Sequence, residues 1–374
     1  MSELIEDIAM GPFGSDVKVD TLVDEGIPFL SGSNVTDFKL NDDNLRFIDQ
    51  SKYDKFKKAM AKRGDIIITH RGTLGQIVFI PETSRYPEYI ISQSQFRVRV
   101  NEKVIPQYLV YFFHSRLGQH ILLSNASRVG VPALARPTTT FKQLRIPIPD
   151  LETQNACVRI LDSIQNMIEI NTRINDYLSN IAEAVFTHFQ ITHKTSECHL
   201  SDIAYIVMGQ SPPGESYNTE GRGIMFFQGR AEFGQFFPTP NLFTDQPKRL
   251  ASKGDILISV RAPVGDINIA IADCCIGRGL AAVRSNNGCQ AYIHHLIDSI
   301  RSNFDQFNGT GTVFGSINKN ELNSLTMHIV DSETMKECNS ILSEIDAAIK
   351  HMHDENELLI KIRMLLMSKF LSSA

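Results

Sequence analysis

The sequence predicts an α+β fold built twice. Two globular domains follow one another, each succeeded by a long helix, and the two helices pair as an antiparallel coiled coil with pseudo-two-fold symmetry. The first of three observations behind this is a repeated strand–turn–strand. Residues 63–80, RGDIIITHRGTLGQIVFI, return as 253–270, KGDILISVRAPVGDINIA, with Gly, Asp, Ile, Ile, Arg, Gly and Ile at matching places. The second is that further echoes run in the same order through both halves. The third is a change of hydrophobic period, from short β-like runs to long stretches with helical spacing.

The first domain, residues 1–149, opens with Asp7-Ile8-Ala9 and Met10-Gly11, which match Asp202-Ile203-Ala204 and Met208-Gly209. Gly26-Ile27-Pro28-Phe29-Leu30-Ser31-Gly32 then matches Gly223-Ile224-Met225-Phe226-Phe227-Gln228-Gly229. Runs such as GDIIITH, QIVFI and QFRVRV, broken by Gly, Pro, Asn and Ser, read as strands. Beyond the strand pair, ISQSQFRVR (91–99) lines up with IGRGLAAVR (276–284).

The segment 150–190 reads as a helix. Cys157, Ile160, Ile164, Met167, Asn171, Ile174, Leu178, Ile181 and Val185 alternate spacings of three and four, a heptad seam with one polar member. The second domain, 191–330, repeats the β-rich pattern, and 331–374 repeats the helix. There the seam is Cys338, Ile341, Ile345, Ala348, Met352, Glu355, Leu359, Ile362 and Leu366. Asp150 and Asp331 stand at the N-cap positions. LRIPIPDLETQNACVRILDSI (144–164) aligns without gaps to LTMHIVDSETMKECNSILSEI (325–345) with nine identities. A narrow seam calls for one partner helix, and the other copy is the natural candidate, with Asn171 and Glu355 fixing register; the alternative is that each helix packs on its own domain.

Composition adds limits. The chain has 374 residues, a net charge of −5, no Trp and 22 Phe, ordinary for a globular protein with two cores. No apolar run reaches the ~20 residues of a membrane helix, and MSELIEDIAM has neither the basic nor the apolar region of a secretory signal. The six Cys lack C-x-x-C spacing, which fits reduced thiols and a cytoplasmic location.

These motifs carry a likeness. MGPFGSDVK, GIPFLSGSNV, the RGD-IIIT-RGTLG stretch and SQSQFRV, followed by MGQSPPGESYN, GIMFFQGRAEFG, KGDILISVRAPVG and IGRGLAAVR, resemble the specificity (S) subunit of type I restriction–modification enzymes. The likeness spans essentially the whole chain, in the family's order of recognition domain, helix, recognition domain, helix. It implies a non-catalytic subunit that binds double-stranded DNA at a bipartite, asymmetric target. It further implies two methyltransferase (M) subunits as partners and, through the complex, restriction/translocase (R) subunits, with no membrane. Helices of about 35 residues would run about 52 Å, roughly 15 base pairs. Rivals are the specificity chain of another multi-subunit restriction system and a degenerate protein-binding scaffold.

Chemistry of its own is hard to find in the chain. Ser211-Pro212-Pro213-Gly214 imitates the base-gripping motif of adenine methyltransferases, but Gly stands where the stacking aromatic belongs. There is no phosphate-binding GxxxxGK[ST] loop. Pro149-Asp150-Leu151-Glu152-Thr153 lacks the Lys of a nuclease site and reads better as a helix cap. His188, His193, Cys198 and His199 do not have the spacing of a structural zinc site. The expectation is no catalytic residue, no metal and no cofactor.

DNA contacts are sought on two grounds. Arg71 and Arg261 hold the same place in the repeated turn, where an Arg reaches phosphate or pairs bidentately with guanine; the alternative is that each pairs with Asp65 or Asp255. Base choice should reside where the copies differ: Gln93, Ser94 and Gln95 against Arg278 and Gly279, and Ser33 and Asn34 against Arg230. Gln suits adenine and Arg suits guanine. The cluster Lys52, Lys55, Lys57, Lys58, Lys62 and Arg63 tracks the DNA backbone or forms a solvated face.

Overall fold

In the computed structural model the described residues are all but 13–16, 18–21, 128–130, 310–314 and 372–374. Part of the motif MGPFGSDVK therefore lies outside the described residues. The chain divides into two compact units, Met1–Ile170 with Glu355–Ala374, and Asn171–Asp354.

The first unit is built on an antiparallel sheet of β1 (Ile5–Met10), β2 (Ile66–Thr69), β3 (Ile77–Phe79) and β4 (Gln95–Val100), in the order β1-β4-β2-β3. Ile8 faces Val98, Val98 faces Ile66, and Ile66 faces Phe79 across the ladder. The uninterrupted apolar run of β2 follows from burial on both faces. Ile66 and Ile68 enter a core with Tyr108, Phe112 and Phe113 of the helix Pro106–His114. Ile67 points the other way, into a core with Tyr89 and Ile91. That opposite face is covered by a five-stranded mixed sheet in which Ile27–Phe29 runs parallel to Glu88–Ile90.

The second unit repeats the plan residue by residue. Its sheet is β5 (Ala204–Met208), β6 (Ile256–Ser259), β7 (Ile267–Ile269) and β8 (Leu280–Ser285), in the order β5-β8-β6-β7. Ile206, Val283, Ile256 and Ile269 take the places of Ile8, Val98, Ile66 and Phe79. Ile256 and Ile258 enter one core and Leu257 the other, so the alternation of β2 is preserved. Its five-stranded sheet has the same order, with Ile224–Phe227 parallel to Cys274–Ile276.

The two long helices are Leu151–Thr192 and Ser332–Leu371. Both begin at the expected caps: Asp150 accepts the Thr153 amide at 2.8 Å, and Asp331 accepts those of Glu333 and Thr334 at 3.0 and 3.2 Å. Within the first unit the helices run antiparallel. Cys157, Val158 and Leu161 share a core with Met367 and Leu371, Arg363 donates to Gln165, and Asn356 donates to the Ile168 carbonyl. Within the second, Ala182, Phe186 and Phe189 share a core with Met335, Cys338 and Leu342.

The seam itself differs from the heptad expectation. Ile160, Met167, Ile174 and Ile181 remain 38–50% exposed, whereas Gln154, Gln165 and Asn175 are buried. The physical reason is that each helix buries itself against a domain as well as against a helix, so the buried stripe is wider and rotated from the narrow seam. The buried amides bracket the helix to its domain. Gln154 accepts from the Ile105 amide at 2.9 Å and donates to the Lys103 and Pro149 carbonyls, while Gln165 donates to Asp37.

One buried histidine gives the first unit a pH dependence. His114 Nε2 lies 2.7 Å from the Ile77 carbonyl, its ring packs 4.3 Å from that of Phe38, and burial lowers its pKa. A depressed imidazole folds in the neutral form, so stability falls as pH drops through the unfolded value of about 6.5 and levels off below the folded pKa. Thermal melts should show a loss between about pH 7.5 and 5.5 that is smaller in His114→Gln than in the wild type. Equal losses in the two proteins would contradict this assignment.

Candidate nucleic-acid interface

The repeated Asp of RGDIII and KGDILI is a fixture of the scaffold. Asp65 is fully buried and accepts Nε and Nη2 of Arg99, each at 2.8 Å, together with the Lys62 amide at 2.9 Å. Asp255 accepts Nε and Nη2 of Arg284 at 2.7 and 2.8 Å and the Ser252 amide at 2.7 Å. The Arg that satisfies each Asp thus comes from the end of β4 or β8, the neighbour of β2 or β6 in the sheet but three strands on in sequence. Arg71 and Arg261 do not pair with them, which overturns that alternative. Both side chains are exposed, and their backbones bridge to Ala133 and Ser316. Sequence reading missed Arg99 and Arg284 as partners, although both close the aligned segments 91–99 and 276–284 and so carried the signal.

The exposed turn holding Arg71 is joined to the loop before β4. The His70 amide donates to the Ser94 carbonyl at 2.8 Å, and His70 Nε2 lies 3.1 Å from the Gln93 carbonyl. Burial lowers the pKa of His70, so the neutral ring donates to that carbonyl and shapes the loop. Gln93 is exposed at its tip and Ser94 half-buried. Gln95 is fully buried: it accepts the Ser92 amide and donates to the Ser31 carbonyl, tying this loop to the Ser31–Asn34 turn. Asn34 is buried too, donating to the carbonyls of Asn41 and Asp43, whereas Ser33 is exposed. Gln95 and Asn34 therefore hold loops in place, and their amides are committed inside the fold.

The second unit assembles the same cluster. The Val260 amide donates to Gly279, the Gly279 amide donates to Gln228, and the Arg278 amide lies 3.4 Å from Ser211 Oγ. Arg261, Arg278 and the Gln228–Arg230 turn thus gather at one edge, and all three Arg side chains are exposed. Arg230 is partly neutralised by an ion pair with Asp266, which also faces Arg301 at 3.8 Å. Because His70 and Val260 make the same bond, Gln93 and Arg278 stand at equivalent loop tips. Elsewhere, Lys62 pairs with Glu88 at 2.8 Å and Lys55 lies over the Phe56 ring.

Nucleophilic chemistry has no footing among the cysteines. All six are free thiols, none more than half-exposed, and burial pushes Cys274 up to about 12. His193 stacks on Phe189 and sits against Thr192, while Cys198 and His199 lie in the strand Ser196–His199. Among the described residues no helix is long and apolar enough to cross a membrane.

The duplicated plan has a counterpart among known proteins. The sequence model of the type I restriction modification DNA specificity domain matches residues 16–180 and, a second time, 195–359. The chain belongs to this family. It is a DNA-specificity subunit of the type I restriction–modification class. One curated relative, the putative type I restriction enzyme MjaX specificity subunit of Methanocaldococcus jannaschii, is 32% identical over 370 residues, covering 93% of this chain and 87% of its own length. The HindI specificity subunit of Haemophilus influenzae is 29% identical over 136 residues, 35% of this chain and 28% of that protein. The crystal structure of a type I restriction–modification S subunit from M. genitalium shares the fold with a TM-score of 0.61 at 16% identity, covering 99% of this chain and 94% of that one.

Proposed function

We propose that this specificity subunit reads a bipartite, asymmetric double-stranded DNA target. One half-site is read by a recognition domain of residues 1–149 and the other by one of residues 191–330. The helices of 150–190 and 331–374 hold two M subunits and, through the complex, R subunits. The chain contributes binding and geometry, and its partners contribute the methyl transfer and cleavage. A cytoplasmic location follows from that role.

One observation carries the reading. The loop tips that are equivalent by backbone hydrogen bonding present Gln93 in one unit and Arg278 in the other, both exposed, on scaffolds that otherwise coincide. A shared chassis with different tips is what two readers of different words require. In the major groove Gln pairs bidentately with adenine and Arg with guanine. Arg71 and Arg261, identical in both units, suit a phosphate contact that sets register without choosing a base. Ser33, Ser94 and Arg230 flank these tips and complete the candidate set.

Selection of bound duplexes from a randomised pool, by the chain assembled with its methyltransferase partners, tests this. Replacing Arg278 with Ala should relax one position of one half-site, at about 1–3 kcal/mol of discrimination, and leave the other half-site intact. Replacing Arg71 should weaken binding to all sequences alike and reduce its salt dependence. Relaxation of both half-sites by Arg278→Ala, or of neither, would contradict the assignment.

A further inference from the structure

The second unit contains a group of side chains that DNA reading does not use. His294 and His295 lie on the helix Gln290–Ser299, and Asp346 lies on the helix Ser332–Leu371. The two Asp346 carboxylate oxygens are aimed at different rings: Oδ1 is 3.1 Å from His295 Nε2, and Oδ2 is 3.6 Å from His294 Nδ1. The three donor atoms all fall within 4.8 Å of one another. All three side chains are mostly buried, yet they border an open cavity that Glu183, Asp298 and Ser343 also line.

We propose that His294, His295 and Asp346 form a binding site for a divalent transition metal of the zinc class. Donors bonded at 2.0–2.2 Å to a tetrahedral zinc stand about 3.3–3.5 Å from each other; His295 and Asp346 are already 3.1 Å apart, and side-chain rotation would draw the three donors, all within 4.8 Å of one another, to that spacing around an ion. Two imidazoles and one carboxylate are a donor set that selects zinc over magnesium or calcium. All three residues border the cavity, from which water would supply the remaining ligand. His294 Nδ1 is buried without a hydrogen-bond partner, since its distance from Asp346 is too long for one. A metal ion satisfies that lone pair.

The first unit supplies an internal comparison. Aligning the helices on Tyr108 and Tyr292, both fully buried, places Val110 and Tyr111 where His294 and His295 stand. The gapless alignment of 144–164 with 325–345, continued by one residue, places Gln165 at Asp346. None of this trio offers the same ligands. Tyr111 instead donates to Asp162, and Arg363 reaches Gln165 and covers the Phe38 ring. Arg363 corresponds by the same offset to Ala182, which is buried in the apolar core of the second unit and offers no such cation. The His–His–Asp group is therefore not required by the shared scaffold. Bound metal would pin the helix Gln290–Ser299 to the helix Ser332–Leu371 in one copy only.

Titration of the full-length chain with cobalt(II), followed by its visible absorption bands and by displacement with zinc(II), tests the site. One equivalent should bind, zinc should displace it, and zinc should raise the melting temperature. Asp346→Gln, which installs the residue of the first copy, should lower the affinity at least tenfold while leaving the circular dichroism spectrum unchanged. His294→Val serves as the second variant if Asp346→Gln does not fold. Retention of the cobalt bands with wild-type affinity in a folded variant would overturn the proposal, as would the absence of stoichiometric binding by the wild type.

Discussion

Asp65→Ala should destabilise the first unit by about 3 kcal/mol, the range in which removing one partner of a buried ion pair falls. The carboxylate has no exposed surface and receives both Nε and Nη2 of Arg99 as well as the Lys62 amide. Alanine removes the cap on the turn into β2 and leaves the guanidinium without its planar partner. Arg99 keeps about a third of its side chain in solvent, which holds the loss at the lower end of that range. Asp255→Ala should cost less, because Arg284 is half-exposed and is rehydrated more readily. Urea denaturation of the two variants beside the wild type measures both losses. A larger loss for Asp255→Ala than for Asp65→Ala would contradict this account.

Gly209→Ala should be comparably damaging, and its damage should reach the reading loop. A β-carbon at this position would stand 2.1 Å from the Gly277 carbonyl oxygen and 2.8 Å from that of Leu280, backbone atoms that cannot swing aside. The Gly209 amide also donates to Leu280 at 2.9 Å, so relief by displacement breaks a hydrogen bond. Overpacking of this kind costs about 1–3 kcal/mol, and the lost bond adds about 1 kcal/mol. The segment pushed away is 277–280, which carries Arg278 at its tip. Gly11→Ala makes the same collision with the Ser92 carbonyl at 1.9 Å, next to Gln93. Thermal melts should show both variants several degrees below the wild type, and DNA selection should show the second half-site blurred by Gly209→Ala and the first by Gly11→Ala. Wild-type stability and a wild-type motif in either variant would contradict the close backbone approach.

The duplication was visible because identities such as Gly64-Asp65 and Gly254-Asp255 serve the scaffold, and a scaffold built twice repeats its constraints. The paired strands, the caps at Asp150 and Asp331, and the antiparallel helices all rest on local signals of period and capping. The buried helix stripe was not legible, because its polar members Gln154 and Gln165 are buried through hydrogen bonds to distant segments. The same blindness applied at the candidate interface. Gln93 and Gln95 are two residues apart and chemically identical, yet one is a tip and the other a bracket, and only the fold distinguishes them. The pairing of Asp65 with Arg99 instead of Arg71 depended on strand order, which sequence spacing does not reveal. His294, His295 and Asp346 carry no short-spacing signal in the sequence, because they meet across two helices.

Two copies of one scaffold that read two different DNA words should leave a methylation pattern of two unlike halves. Methylome sequencing of cells carrying this chain with its methyltransferase partner, and of otherwise identical cells lacking the chain, tests it most directly. The expected result is a new methylated motif of two unlike half-sites separated by unspecified bases. A palindromic motif, or no motif that depends on the chain, would contradict it.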